Sequence, residues 1–586
     1  MARVFWDGQR IVATACKANY QRLVSLAEKY KAEPLPPVNG YSFIRTKESI
    51  LDISTLEQTV FDDSFEKLLN AVNKSNQNHQ EEINKLNLPD CMYPYQKEAV
   101  AQIVKWNHNA LLASEMGLGK SLMATISLSK LPDAYPALVI CPASLKVNWE
   151  TEIHKWTPDV RTYIIEGRES YHSSYVITKC KEADVLIINY DILGVDDKEA
   201  QEREKKRIQA AKKEKKPYRK AFIPVSGWVD ILIKEIGIKA IVCDECQYIE
   251  SDKAVRTRAV IQLSANKRII KLFLSGTPFE TKVSQFYTTC HIIAPDLFPK
   301  EFDFKQRYCN PVLRVFGKNK RFWEYNGVSN LDELRRKLST FMIRQTKAQY
   351  LKQLPPKIKT PIYFDMDDKA RKLYDQMEDE LMIQKEGMHQ FAYLAKMKEA
   401  LMEIKIEPTI QFIKDMLEIE DKLVIFTYHT SIFDTILNEF GGIAVGVNGD
   451  VSNFKRQEMV NKFQNNADVR LFVGQIQAAS TGITLTASHT VIFTEWGQTA
   501  AQMSQAEDRI HRIGQDADRC NIYYLIAKDT VDEGPLESLT KHYQDIQAVL
   551  NGDTSVKFVD IDDSMIAKVK SRLLLRNKET VRIEYD

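Results

Sequence analysis

A glycine-rich turn between an apolar strand and a helix constrains this chain more than any other feature. The stretch Ala113 to Ser121 reads Ala-Ser-Glu-Met-Gly-Leu-Gly-Lys-Ser, and it follows the apolar run Ala110 to Leu112. Because glycine lacks a Cβ, backbone N–H groups in such a turn can close on phosphate oxygens, and the following helix adds the positive end of its dipole. The pattern therefore predicts a strand, a phosphate-binding turn and a helix.

The side chains of this turn have separate predicted roles. Lys120 is expected to reach the β and γ phosphates of a nucleotide, and the hydroxyl of Ser121 to ligate Mg²⁺. The full pattern has a glycine where Ser114 stands, so an ordinary glycine-rich turn is the alternative. The residues predicted to contact the nucleotide here are Glu115, Met116, Gly117, Leu118, Gly119, Lys120 and Ser121.

A second strand end completes the predicted nucleotide site. The apolar run Ile241 to Cys243 delivers Asp244 and Glu245 at its carboxyl end. We expect Asp244 to hold Mg²⁺ through water, and Glu245 to orient and deprotonate the water that attacks the γ-phosphate. One helix upstream of the glycine-rich turn, Gln96 can read the adenine edge because its amide both donates and accepts.

Length and composition restrict the kind of protein. A chain of 586 residues suggests about three or four compact units. No apolar run approaches the roughly 18 residues that a membrane span needs, so membrane contact is not predicted. The first residues lack a secretory signal and nine cysteines are scattered, which favours an intracellular protein, cytoplasmic in a prokaryote or virus and nuclear in a eukaryote.

The alternation of apolar runs and helical patterns predicts an α/β protein with two doubly wound lobes. A small α+β appendage precedes them, and helical segments are inserted. The predicted units are an appendage at 1–75, a linker at 76–88, a first lobe at 89–295, an inter-lobe helical protrusion at 296–420, a second lobe at 421–550 and a tail or brace at 551–586.

A charged insert interrupts the first lobe at 196–220. It could touch a DNA backbone or act as a nuclear address, but a charge run is more often a solvated helix, and we favour the solvated helix. The net charge of the whole chain is only +2, so any polyanion must be held by a local groove rather than by the field of the whole molecule.

Polar residues follow several buried strands, and loops at the carboxyl ends of parallel strands are where α/β sheets hold ligands. Each such residue alone is more often a helix cap or a surface residue. Together they predict a nucleic-acid surface formed by Pro142, Ser144, Lys146, Asn189, Ser480, Thr481 and Trp496.

Two arginines late in the chain are predicted to complete catalysis. Arg509 and Arg512 are three residues apart, so on a helix they share a face and can reach a γ-phosphate held by the first lobe. Two surface arginines on an amphipathic helix are the alternative. Gly482 is added to the nucleotide contacts, and the residues predicted to couple the lobes are Gln247, Ser275, Gly276, Thr277 and Gln505.

These motifs in this order resemble a superfamily 2 helicase-type motor. The segments Glu115 to Lys120 and His511 to Gln515 resemble the Snf2 family specifically, and the resemblance covers roughly residues 88 to 550. Resemblance to the annealing-helicase, fork-remodelling branch rests on Arg307 to Cys309, Leu354 to Lys357, Ile476 to Ala479 and Gln505 to Arg509.

The resemblance implies two RecA-like lobes, hydrolysis of ATP with Mg²⁺, and translocation along double-stranded or branched DNA, usually without strand separation. It also suggests a monomer whose appendage contacts replication or repair proteins. Three residues depart from the family pattern: Ser114 replaces the usual Asp, Ser121 replaces Thr, and Gln247 replaces His. Ser121 keeps the hydroxyl and Gln247 keeps a hydrogen-bonding side chain.

Two other functions stay open from the sequence. A strand-separating helicase needs a wedge, and the segment from Cys290 to Leu338 has room for one. An ATP-gated DNA-binding scaffold with weak hydrolysis is suggested by Ser114 and Gln247. The presence of Lys120 and Glu245 argues against the scaffold.

Overall fold

The structure is a computed structural model of the 586-residue chain, and it divides into two compact units, Met1–Ala101 and Gln102–Asp586. It describes the chain except for residues 1, 8, 16–19, 36–39, 45–46, 57–58, 108, 214–221, 317–319, 367, 384–389, 480–481, 529, 554–557, 559–582 and 585–586.

The first unit is a small α+β fold. Its five-stranded sheet has the order β3-β4-β2-β1-β5 and is antiparallel except for the parallel pair β1–β5. The elements are β1 (Ala2–Trp6), β2 (Arg10–Thr14), α1 (Tyr20–Tyr30), β3 (Glu33–Pro34), β4 (Gly40–Ile44), α2 (Lys47–Ile53), β5 (Thr59–Phe61) and α3 (Asp63–Lys85).

The segment predicted as a linker, 76–88, is helical over most of its length, because α3 continues to Lys85. Asp62 starts this helix, since its side chain accepts hydrogen bonds from the backbone N–H groups of Ser64 and Phe65. Gln77, one of the polar residues that suggested a linker, is exposed on this helix.

Helix α4 (Pro94–Trp106) leads into the first lobe, whose seven-stranded sheet is parallel throughout. Its central strands are continuous apolar runs because helices cover both faces of such a sheet. In the order β16-β6-β13-β12-β7-β9-β8, the strands are β16 (Met342–Ile343), β6 (Asn109–Leu112), β13 (Ile270–Leu274), β12 (Ala240–Asp244), β7 (Ala137–Cys141), β9 (Val185–Asn189) and β8 (Thr162–Ile164).

Helices and two small antiparallel strand pairs surround this sheet. The paired strands are β10 (Val195–Asp196) with β11 (Val225–Ser226), and β14 (Val312–Phe316) with β15 (Lys320–Glu324). The helices are α5 (Lys120–Lys130), α6 (Lys146–Trp156), α7 (Ser174–Glu182), α8 (Lys198–Lys213), α9 (Trp228–Ile231), α10 (Val255–Leu263), α11 (Tyr287–Ile293), α12 (Glu301–Tyr308) and α13 (Leu331–Leu338).

The segment predicted as helical and inter-lobe contributes a strand to each sheet. After β16 completes the first sheet, the chain forms α14 (Lys347–Tyr350) and then β17 (Lys357–Phe364), which pairs in parallel with β22 (Cys520–Ala527) of the second sheet. The crossing between the lobes is therefore short. A helical protrusion follows, α15 (Asp368–Ile383) and α16 (Gln390–Leu417).

The second lobe has its own seven-stranded sheet, parallel except for the last pair, β17–β23. The two largely parallel sheets confirm the predicted class of two α/β lobes. In the order β19-β20-β18-β21-β22-β17-β23, the new strands are β19 (Ala444–Val447), β20 (Leu471–Gln475), β18 (Leu423–Thr427), β21 (Thr490–Phe493), β22 (Cys520–Ala527) and β23 (Ile583–Glu584). Its helices are α17 (Thr430–Glu439), α18 (Asn453–Asn465), α19 (Ile476–Ala479), α20 (Ala500–Glu507) and α21 (Gly534–Leu550).

Helix α21, expected within the second lobe, packs on both lobes: Leu539 is buried in the core of the second, and later residues of the helix are buried in the core of the first. Ile546, Val549 and Leu550 are buried in that core, and Arg335 donates to the carbonyl of Ala548 at 2.6 Å. The chain thus returns to the first lobe after completing the second. Near the end of this helix, Arg344 Nε donates to Asn551 Oδ1 at 2.8 Å, so α21 lies beside the segment that crosses between the lobes.

A buried lysine holds the protrusion to the second lobe. The Lys405 side chain is fully buried, and its Nζ donates to the carbonyls of Thr494 and Leu525 at 3.0 and 2.9 Å and pairs with Asp532. A buried charge is tolerated only when it is paired and hydrogen-bonded in this way.

Across the described part of the chain, no helix combines the length and the apolar character needed to cross a membrane.

Candidate active site

The glycine-rich turn connects β6 to α5, as predicted. Gly117 and Gly119 have φ values of +84° and +82°, in the left-handed region that residues with a Cβ rarely adopt. Gly119 is the N-cap of α5 and makes no side-chain cap. The first N–H groups of α5 are therefore available to an anion.

Lys120 is buried at the first position of that helix. Its Nζ donates to the carbonyl oxygens of Ser114 and Glu115 at 2.9 and 3.4 Å. Burial lowers the pKa of Lys120 below its ordinary value, while the carboxylates of Glu245 and Asp244 act against that shift. The amine thus lies inside the turn and within the field of the two carboxylates.

Asp244 and Glu245 occupy the carboxyl end of β12. Trp149 Nε1 donates to Asp244 Oδ2 at 2.8 Å, and the backbone N–H of Glu245 donates to Asp244 Oδ1 at 3.0 Å. Burial and the adjacent Glu245 raise the pKa of Asp244 to about 7. Glu245 has a φ of +50°, a strained conformation for a residue with a side chain, and such strain clusters at functional sites.

A chain of buried hydrogen bonds runs from Glu245 to the turn after β13. Gln247 Nε2 donates to Glu245 Oε2 at 2.9 Å, and the hydroxyl of Ser275 donates to Gln247 Oε1 at 2.7 Å. Ser275 in turn accepts from the backbone N–H of Thr277. Both ends of the Gln247 amide are used, so this side chain fixes the position of the Glu245 carboxylate.

Gly276 brings the same turn against the phosphate-binding turn. A Cβ at this position would lie 3.2 Å from Met116 Cγ and 3.6 Å from Lys120 Nζ. The close approach explains the glycine. The turn after β13 therefore lies against Met116 and Lys120 of the glycine-rich turn.

Arg509 and Arg512 come from the second lobe to the phosphate-binding turn. Arg509 is 1% exposed, and its Nη2 donates to Met116 Sδ at 3.4 Å. Arg512 Nη1 donates to Thr484 Oγ1 at 2.7 Å, and a Cβ on Gly117 would lie 3.7 Å from Arg512 Cγ. The two lobes meet where these guanidinium groups face the turn.

The predicted helix under the two arginines is wrong in one respect. Helix α20 ends at Glu507, and both arginines lie in the turn that follows it. The neighbouring Asp508 and His511 hold this backbone in place through contacts with the crossing segment, residues 344–357, which joins the two lobes. The i, i+3 spacing still places both side chains on one side of that turn.

A buried cluster of charges holds this turn, and no sequence motif indicates it. Lys347 Nζ lies 3.0 Å from Asp508 Oδ1 and donates to the carbonyl of His511 at 2.8 Å, while Lys357 Nζ lies 2.6 Å from the same carboxylate. Burial opposes ionisation of Asp508, but the two lysines hold its pKa well below the ordinary value. His511 Nε2 also contacts the carbonyl of Pro355 at 2.8 Å.

The same crossing segment is bonded to the phosphate-binding turn. The backbone N–H of Lys347 donates to Glu115 Oε2 at 2.8 Å, and Arg344 pairs with Glu115 Oε1 at 3.1 Å. The hydroxyl of Ser114 donates to Gln345 Oε1 at 2.8 Å. The serine that departs from the family pattern is therefore bonded to a glutamine of the segment that crosses between the lobes.

The residues predicted to contact nucleic acid differ in how far they are buried. Pro142 is buried, Ser144 is half-buried, and Lys146 Nζ donates to the carbonyl of Ile165. Asn189 is buried at the end of β9. Ser480 and Thr481 lie outside the described residues.

Trp496, which was predicted to contact DNA, is buried in the core of the second lobe. Its ring stacks on Tyr524 with centroids 5.1 Å apart, and its Nε1 donates to the carbonyl of Asp532 at 2.9 Å. The large apolar ring is more stable in the core of the lobe. Nearby, the half-buried Tyr428 accepts a hydrogen bond from the side chain of the exposed Gln498.

The other two predicted nucleotide contacts are Gln96 and Gly482. Gln96 belongs to the first compact unit, where its Oε1 accepts from the backbone N–H of Tyr93 at 3.0 Å. Gly482 has a φ of +76°, and a Cβ there would lie 2.9 Å from Leu145 Cδ2. Gln505 is buried, and its carbonyl accepts from Arg509 Nε at 3.0 Å.

Family models match most of the chain in the order of these motifs. Residues 95–419 match the SNF2-related domain, and residues 405–514 match the helicase conserved C-terminal domain. The chain belongs to the SNF2-related family. The family resemblance read from the motifs is therefore confirmed.

This SNF2-related chain matches only part of the length of its named relatives. The human DNA annealing helicase and endonuclease ZRANB3 is 29% identical over 479 residues, which are 79% of this chain and 41% of that protein. The SWI/SNF-related matrix-associated actin-dependent regulator of chromatin subfamily A-like protein 1 of Xenopus laevis is 30% identical over 458 residues, 75% of this chain and 42% of that protein. This chain thus spans about two fifths of the length of these relatives.

Among solved structures, the Sulfolobus solfataricus SWI2/SNF2 ATPase core in complex with dsDNA is similar at 24% identity. The similarity covers 79% of this chain and 98% of that one, with a TM-score of 0.36.

The buried pair of Lys347 and Asp508 gives a prediction for the expected hydrolysis of ATP. Lys347→Met leaves Asp508 with one lysine and loosens the turn that carries Arg509 and Arg512. We expect unchanged ATP affinity and a fall in kcat of about 10²-fold, the effect of misplacing a reacting group by roughly 1 Å. Steady-state hydrolysis beside nucleotide binding measures both, and Lys352→Met, an exposed lysine of the same segment, is the control.

The pH dependence tests the same pair. Burial lowers the pKa of Lys347 to about 8, so the amine loses its proton and its attraction to Asp508 as pH rises through that value. Hydrolysis should decline there, and Lys347→Arg, whose guanidinium stays charged, should move the decline to higher pH. An identical decline in both proteins would contradict the role of this lysine.

Proposed function

We propose that this chain is a DNA-dependent ATPase motor that translocates on double-stranded DNA and remodels DNA structures or protein–DNA complexes. The observation that supports it most directly is the contact of Arg509 with Met116, which brings a guanidinium of the second lobe to the phosphate-binding turn of the first. Family membership supports the reaction class. The annealing helicase named above supports DNA remodelling as the output.

Nucleotide phosphates would bind at the turn between β6 and α5. The backbone N–H groups after Gly117 and Gly119 would contact the phosphate oxygens, and Lys120 Nζ would exchange its carbonyl partners for the β and γ phosphates. Because Lys120 bonds to the turn and lies in the field of the two carboxylates, its charge would stabilise the β and γ phosphates during cleavage of the bond between them.

Oxygen ligands suited to Mg²⁺ occur beside this turn. The Ser121 hydroxyl follows Lys120 on α5, and Asp244 presents a carboxylate at the neighbouring strand end. No cluster of three or more His, Cys, Asp or Glu suited to a metal occurs among the described residues, which fits a cation that keeps waters and phosphate oxygens as its other ligands. When bound, Mg²⁺ would neutralise phosphate charge.

Glu245 would orient the attacking water and accept its proton. Its carboxylate is fixed by Gln247, and Gln247 is fixed by Ser275, so movement of the turn after β13 changes the position of the base. The hydrogen bonds thus provide a route by which the state of the phosphate alters the turn at Gly276. Lys120 and Glu245 are both buried and held by hydrogen bonds at this turn, which supports hydrolysis over an ATP-gated scaffold.

Arg509 and Arg512 would stabilise the charge that develops on the transferred phosphoryl group. Arginines supplied in this way contribute on the order of 10³ to 10⁵ in rate in related nucleotide hydrolases. Gly482 of the second lobe packs against Leu145, beside Ser144, at the predicted DNA-binding edge of the first. DNA bound across that edge would favour the closed lobes and so stimulate hydrolysis.

The function is tested by measuring ATP hydrolysis with no nucleic acid, single-stranded DNA, duplex DNA, forked DNA and RNA in parallel. We expect duplex and forked DNA to stimulate most. Glu245→Gln should bind ATP without turnover because the water-orienting carboxylate is gone, whereas Lys120→Ala should lose both binding and turnover. Hydrolysis by Glu245→Gln at the parent rate with duplex DNA would remove Glu245 from the reaction.

A strand-separating or strand-capturing activity is the second candidate, and the hairpin β14–β15 favours it. Leu313 lies opposite Trp323 on one face and Arg314 lies opposite Phe322 on the other, and all four side chains are exposed. A hairpin with apolar groups exposed on both faces is unlike a packing element. Aromatic rings interleaved with basic residues suit unpaired bases, whose stacking contributes about 1–3 kcal/mol per base.

The hairpin gives a prediction that separates the two candidates. Phe322→Ala with Trp323→Ala should reduce opening or annealing of forked DNA while duplex-stimulated hydrolysis continues, because the rings lie outside the nucleotide site. Strand displacement, strand annealing and hydrolysis are measured on the same fork, with Tyr175→Ala as an exposed aromatic control on α7. Equal strand displacement and annealing by variant and control would leave the hairpin without a role in either.

A further inference from the structure

The charged insert of the first lobe is a helix with an unusual concentration of positive charge. Helix α8 (Lys198–Lys213) carries seven basic and three acidic residues, a net charge of +4, in a chain whose total is +2. The rest of the chain is therefore net negative. A basic element on a nearly neutral protein provides the local electrostatic surface that a polyanion needs.

One face of α8 is buried and the opposite face carries free cations. Glu204 is buried, and Ile208 is half-buried one turn further on. Lys206 and Lys213 are exposed and seven residues apart, so they lie on one face about 10 Å apart. Among the described residues, neither has an ion-pair partner, whereas Arg203 and Arg207 pair within the helix.

The helix projects from the ligand-binding edge of the sheet. Strand β9 ends at Asn189, and β10, the first strand of the neck that carries α8, begins at Val195. Between them, the hydroxyl of Tyr190 donates to the carbonyl of Asp244 at 2.7 Å. The root of the insert is thus bonded to the residue that precedes Glu245.

The neck of the insert is held rigidly. Arg258 on α10 is buried, pairs with Asp196 and donates to the carbonyl of Ile223 at 3.1 Å. Gln262, one turn later, exchanges two hydrogen bonds with the backbone of Val225, both at 3.1 Å. Both ends of the insert are therefore fixed to a helix that follows the Asp244–Glu245 strand end.

We propose that α8 is a second duplex-binding element, in which Lys206 and Lys213 contact the phosphate backbone of double-stranded DNA beside the strand-end loops. The inference rests on the proposed function. Duplex DNA is the occupant because the helix carries unpaired cations and follows the strand end predicted to bind DNA. Hydrogen bonds from α10 fix both ends of the insert, so a bound duplex would meet a fixed surface. This revises the sequence-based preference for a merely solvated helix.

The test compares two double variants that each remove two exposed positive charges from the first lobe. Lys206→Gln with Lys213→Gln changes α8. Lys267→Gln with Arg268→Gln changes the amino-terminal edge before β13, on the opposite side of the sheet. Duplex affinity is measured against salt concentration, together with the duplex concentration that gives half-maximal ATP hydrolysis.

Loss of two phosphate contacts should lower the slope of log affinity against log salt by about 2 and raise the half-maximal duplex concentration. The Lys267 and Arg268 variant should match the parent. Lys206→Arg with Lys213→Arg should keep the parent slope, because the charge is retained.

The outcomes separate this inference from the proposed function. A parent that duplex DNA does not stimulate contradicts the proposed function itself. A parent that duplex stimulates, with the α8 variant equal to the control, overturns the role of α8 alone. Retained duplex affinity with lost binding to RNA or to an acidic protein would also overturn it and identify a different occupant.

Discussion

The contact between Arg509 and Met116 is the interaction on which the rest of the structure depends. It joins a side chain of the second lobe to the phosphate-binding turn of the first, almost four hundred positions earlier in the chain. A nucleotide site divided in this way works only when the lobes are closed. Whatever favours closure, including a polyanion bound across both lobes, therefore controls chemistry at a distance from the nucleotide.

The charges that hold Arg509 and Arg512 in place are costly to bury. Lys347, Lys357 and Asp508 form one buried cluster, and removing two ions from water costs several kcal/mol for each before their attraction is counted. Apolar residues of similar size would be at least as stable. The cluster is better explained as a positioning device, because Lys347 also donates its backbone N–H to Glu115 beside the phosphate-binding turn.

Much of the site could be predicted because its residues are adjacent in sequence and follow apolar strands. The turn at Gly117 and the pair Asp244–Glu245 have fixed spacing, and local geometry dictates their roles. The anchoring lysines could not be found this way, since Lys347 meets Asp508 only after both lobes have folded. The burial of Trp496 could not be predicted because position in a loop does not reveal burial. The contact of α21 with the first lobe could not be predicted because it joins segments that are distant in the chain.

The most direct test of closure is the hydrolysis rate of Arg512→Ala at saturating duplex DNA, measured beside its affinities for ATP and for DNA. Arg512 lies against Gly117 and is held by Thr484, so its loss removes a guanidinium from the phosphoryl group and leaves the phosphate-binding turn itself unchanged. The account predicts retained binding of both ligands and loss of nearly all DNA-stimulated hydrolysis. Hydrolysis within a few-fold of the parent rate would place Arg512 outside the site and contradict the closure model.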